Sequence, residues 1–77
     1  MDAFEQARRL LNAVIAAYSG RIGAATSPES ARALRAKRAP LLTERDTLTA
    51  DNRQRIAEIL TEMPSRLAAV RKGKTGE

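Results

Sequence analysis

Leu10-Leu11-Asn12-Ala13-Val14-Ile15-Ala16-Ala17-Tyr18 decides the fold: eight of its nine residues are apolar and only Asn12 is polar. On a helix, Glu5, Arg8, Arg9, Asn12 and Ser19 gather with Ala16 in a stripe only ~100° wide. The rest of the surface is apolar. Phe4, Leu11, Ile15 and Tyr18 make a bulky side, and Leu10, Ala13, Val14 and Ala17 a flatter one. A helix at the edge of a small bundle needs one apolar stripe of a little over ~100°, and this helix offers more than twice that. Either two neighbouring helices cover both sides, or the flatter side meets a second chain. Alanines four apart allow close approach of another helix. The second alternative therefore predicts an interface centred on Leu10, Ala13, Val14 and Ala17. It would join two copies in a homodimer, or dock another helical protein.

Toward the N-terminus, Asp2 and Glu5 form an opening in which Asp2 accepts a first-turn N–H and Glu5 complements the helix dipole. Ser19-Gly20 supplies a stop, because glycine adopts the left-handed conformation freely. Ser27-Pro28-Glu29 starts a second helix, with serine as cap, proline at the first position and an acid in the first turn. Pro40 interrupts its hydrogen-bond ladder and predicts a kink. Thr49 is the next cap. The third helix carries the cleanest pattern of the chain, Ile56, Ile59, Leu60, Met63, Leu67 and Val70 within ~100°. Pro64 predicts a second kink, and Arg71-Lys72-Gly73 a cationic end with a glycine stop. The reading is an all-α, antiparallel three-helix bundle with helices over roughly 2–19, 28–48 and 50–72. Residues 1–72 form one domain and 73–77 a mobile tail. The short turn between the last two helices predicts that they pair directly. Leu41 would then meet Ile59 or Leu60, Leu34 would meet Leu67, and Arg38 would reach Glu62.

Composition narrows the function. A chain of 77 residues buries only ~60% of its unfolded surface, so its core is marginal without good packing or association. It has no cysteine and no histidine, which removes thiol chemistry and the commonest general base and metal ligand. Ser27 and Ser30 have no activating partner at a useful spacing. Glu44 and Asp46 point to different sides of a helix, and Gly20-x-x-Gly23 lacks the strand context of a phosphate loop. No catalytic residue, metal site, cofactor or small-molecule substrate is therefore assigned. No apolar run reaches the ~18–20 residues of a membrane span, and no signal-peptide order is present, so a cytoplasmic, non-membrane protein is expected.

Fourteen basic against nine acidic residues give a net charge of +5, and eleven of the fourteen are arginine. Arg32, Arg35, Lys37 and Arg38 lie in an acid-free stretch of the second helix, the best candidate for an anion or nucleic-acid contact. Four cations at several angles are more often a solvated face, and Phe4 and Tyr18 are the only aromatics available for base stacking. Arg38 and Arg45 sit beside the Leu34, Leu41, Leu48 stripe. Their aliphatic stems are expected to cover the seam while their guanidiniums pair at its edge; the alternative is that the two form part of an anion or carboxylate site. The functional expectation is a non-enzymatic helical protein–protein interaction module. A small basic nucleic-acid-binding protein is the alternative.

Overall fold

The structure is a computed structural model describing residues 1–73, and it contains three α-helices: α1 (Ala3–Ala24), α2 (Pro28–Thr47) and α3 (Arg53–Arg71). Each begins on a side chain that accepts a first-turn N–H. Asp2 Oδ1 accepts from Glu5 at 2.8 Å, Ser27 Oγ from Ser30 at 3.1 Å, and Asn52 Oδ1 from Arg55 at 3.3 Å. Asn52, not Thr49, caps α3. The Thr49 hydroxyl donates instead to Asp51 Oδ1 at 2.5 Å, which holds the Asp51 carboxyl below its usual range. α3 therefore starts at Arg53, three residues later than expected.

The Ser19-Gly20 stop is not used. α1 continues one further turn to Ala24, and Gly73, with φ 74°, is the only described glycine in the left-handed region. The extension has a packing cause: Ile22 falls on the same stripe as Leu11, Ile15 and Tyr18 and becomes half-buried. Core burial outweighs the ~1 kcal/mol that a helical glycine costs relative to alanine. A Cβ added at Gly20 would have nothing within 4 Å. Gly20→Ala is therefore expected to stabilise the chain by about 0.5–1 kcal/mol, measured by urea denaturation.

The two interior prolines lie inside continuous helices, Pro40 in α2 and Pro64 in α3, and each is exposed. The predicted kinks do not break either element. At the far end, Gly73 closes α3 with its N–H donating to Val70 O at 3.0 Å. The tail expected beyond it, residues 74–77, lies outside the described residues.

The helices pack as an antiparallel three-helix bundle, 40 Å long and 21 by 17 Å across. α1 packs closely on both α2 and α3, whereas α2 and α3 make no close backbone approach to one another among the described residues. This corrects the expected pairing of α2 with α3. The distribution of burial gives the reason. Among the described residues ten are buried, and five of these, Ala7, Leu11, Val14, Ile15 and Tyr18, come from α1. Ile56, Ile59, Met63 and Val70 come from α3, and Leu41 alone from α2. The broad apolar arc of α1 needs two covering helices, so α1 takes the middle and the backbones of the other two are held apart. Leu34 and Leu48, expected to be inward, are half-buried and pack against the rim of that core.

Candidate interaction surface

Polar contacts set the register of the bundle. Arg38 Nη1 donates to Ser19 Oγ at 2.9 Å, and Arg45 Nη1 to Asn12 Oδ1 at 3.4 Å. Seven residues forward on α1 are matched by seven back on α2, so these helices run antiparallel. Arg66 Nε and Nη2 donate to the buried Tyr18 hydroxyl at 3.3 and 3.2 Å, and the Arg21 guanidinium lies against Gly73. α1 and α3 therefore run parallel.

The expected pairing of Arg38 with Glu62 is corrected by the same contacts. Arg38 turns to α1, and Glu62 faces Arg55 at 3.7 Å. The snorkelling arginines do cover a seam, but the acceptors are the polar positions of α1, not the carboxylates of α3. Arg38 and Arg45 accordingly do not converge on a shared anion. Arg38 Nε is enclosed without a hydrogen-bond partner among the described residues.

Between α2 and α3 the link is ionic. Arg55 grips Glu44 through Nε at 2.5 Å and Nη2 at 2.6 Å, and reaches Glu58 at 3.1 Å. The hydrogen bonds from Arg55 hold the Glu44 carboxyl below its ordinary value of 4.5 against a smaller opposing push from burial, and raise the guanidinium in turn. A carboxylate whose folded pKa is depressed stabilises the fold above its unfolded pKa, and that contribution is lost as pH falls through the folded value. Stability is therefore expected to decline below pH 4.5. Glu44→Gln should remove part of that decline and cost about 1 kcal/mol at neutral pH, measured by urea denaturation across the acid range.

The four cations proposed for nucleic acid do not form one surface. Arg32 and Arg35 are exposed, Lys37 and Arg38 half-buried, and their helical positions span ~220°. Arg38 is also committed to Ser19.

Of the four residues expected at an α1 interface, Val14 is wholly enclosed within the chain at 0% exposure. It cannot meet a partner while the bundle is closed. Leu10, Ala13 and Ala17 remain half-buried, on the flank of α1 that turns away from α2. The residues that sequence reasoning missed belong to α3. Leu60 and Leu67 are half-buried too, and the parallel register brings them alongside Leu10 and Ala17. No group of three or more metal-ligating acids, histidines or cysteines occurs among the described residues, and no described helix is long and apolar enough to cross a membrane.

The chain matches no protein-family model, no curated protein and no solved structure.

Proposed function

We propose that this protein is a non-enzymatic helical interaction module that docks another helix on the outward flank of α1, with Leu10, Ala13 and Ala17 at the centre. One observation carries the reading. These three residues stay half-buried although α2 and α3 already cover the rest of the apolar arc. Their side chains are small or flexible, which lets a second helix come within the 8–10 Å typical of packed helices. The basic face of α2 supports the rival nucleic-acid reading poorly, because its four cations are dispersed.

Ala17→Arg tests the proposal. The position is only half-buried, so the helices should persist by circular dichroism while partner binding falls at least ~10-fold, equivalent to 1.4 kcal/mol. Wild type and Ala17→Arg serve as paired baits in an affinity capture from the native host, with light scattering reporting self-association against the 8.4 kDa chain mass. The reading fails if wild type is monomeric at high concentration and no protein distinguishes the two baits.

A further inference from the structure

The side of the α1–α3 pair turned away from α2 carries an apolar groove. Leu10, Ala13 and Ala17 occupy a ~60° arc of α1, and Leu60 and Leu67 a ~20° arc of α3. Each arc lies at least ~100° from the positions that face α2, which are Asn12 and Ser19 on α1 and Arg55 on α3. At one end the groove deepens into a cavity of ≈ 450 Å³ lined by Ala3, Phe4, Ile56, Ala57 and Leu60, with Arg53 and Asp2 also on its wall.

The rim is cationic at both ends. Arg53 stands at the cavity. Arg71 follows on the same edge of α3, eighteen residues or ~27 Å further along the helix. Arg21 joins that far end, since its guanidinium lies against Gly73. All three are exposed, and no described ion pair or side-chain hydrogen bond engages any of them. One acid, Asp2, shares the cavity wall with Arg53, and its Oδ1 is engaged by the first turn of α1. Glu58 and Glu62 face Arg55 on the opposite side of α3.

We infer that the groove receives an acidic amphipathic helix of another protein, about five turns long. Its small or apolar stripe lies along Leu10, Ala17, Leu60 and Leu67, and its carboxylates reach Arg53 at one end and Arg21 and Arg71 at the other. The inference rests on the proposed docking role and names the partner's chemistry. Charge complementarity selects this occupant over a second copy of the chain. A two-fold axis through the groove would set Arg53 against itself or against Arg21 and Arg71, three cations from each copy against a single acid, Asp2, already engaged at its own helix start. It also selects a helix over an anionic membrane, because an interfacial helix inserts projecting bulky or aromatic side chains. Here the apolar groups are recessed, Tyr18 is buried, and Phe4 lines the cavity wall.

The test is a selection. A library of eighteen-residue helices with a fixed Leu/Ala stripe and rim positions randomised between Glu and Lys is displayed and panned on the immobilised chain. Glu should be enriched at the rim, and the selected peptides should bind at least ~10-fold more weakly on raising salt from 50 to 300 mM. Arg53→Glu should reverse the preference to Lys at one end only. That variant places an acid in the first turn of α3, where the helix dipole favours it, so unfolding cannot explain the switch. A pool without charge preference, a preference unchanged by Arg53→Glu, or no retained binders would overturn the inference. Co-sedimentation with phosphatidylglycerol vesicles that Arg53→Glu abolishes would assign the face to a membrane instead. A doubled mass that Arg53→Glu strengthens would assign it to a second copy. Binders lost on Ala17→Arg but lacking acid preference overturn only the partner's chemistry, whereas binders indifferent to Ala17→Arg overturn the docking reading as well.

Discussion

Leu11→Ala is expected to destabilise the chain by about 2–5 kcal/mol, because it removes three buried carbons and leaves a cavity the surroundings fill only in part. Leu11 is fully enclosed at the centre of α1, the one helix whose backbone closely approaches both others. A domain of this size has a total stability on the order of 5 kcal/mol, so the variant should be largely unfolded or melt at least ~10 °C lower. Leu34→Ala is the control. Leu34 is a leucine of the seven-residue stripe in α2, yet it is half-buried at the core's edge, and its truncation should cost roughly half as much or less. Thermal melts followed by circular dichroism compare the two directly. Equal losses would show that α2 contributes as much to the core as α1 and would contradict the central placement of α1.

Pro40→Ala is expected to act in the opposite direction. Proline inside a helix lacks the N–H for one ladder bond and crowds the carbonyl four residues back, at roughly 3 kcal/mol relative to alanine. Part of this is offset, since removing proline also frees the unfolded chain by up to about 1 kcal/mol. Pro40 is exposed within α2, so no core contact is lost with its ring. A net gain of about 2 kcal/mol follows, read as a higher urea midpoint with an unchanged slope. α2 contributes only Leu41 to the buried core, so its backbone ladder should matter more to its persistence than that of α1. Amide exchange in α2 should therefore slow more in Pro40→Ala than exchange in α1 or α3. No gain in stability would mean that the helix already accommodates the ring.

Several local features were legible in the residues because they depend on neighbours a few positions apart. Asp2 and Ser27 were readable as caps from their oxygens three residues before a free N–H. Gly73 was readable as a stop after Arg71-Lys72, and the apolar stripe of α3 from its period alone. Thr49 was misread because Asn52 offers a competing oxygen nearer the first apolar position, a choice that short-range pattern alone does not rank. Gly20 was misread for a different reason. A glycine permits a stop without requiring one, and Ile22 had an apolar stripe to join.

The α1 flank was partly visible as well. Leu10, Ala13 and Ala17 stood out by their surplus of apolar surface, and Val14 with them. Only packing separates Val14, wholly enclosed, from its three neighbours. The equal seven-residue spacings of Asn12 and Ser19 and of Arg38 and Arg45 were a usable signal for the α1–α2 register. They were masked because Asn12 and Ser19 read as part of a solvent stripe.

The three helices, most of their ends and the apolar stripe of each follow from backbone geometry and side-chain period, and are carried by the residues alone. The placement of α1 between α2 and α3 is instead a choice made in packing, because a helix with two apolar sides can be satisfied by several arrangements of equal local quality. That choice turned the asparagine and serine of α1 toward arginines, enclosed Val14, and left Leu60 and Leu67 beside Leu10 and Ala17 under an arginine rim. Side chains from distant parts of a chain share a surface only once the packing of the whole core has set their register.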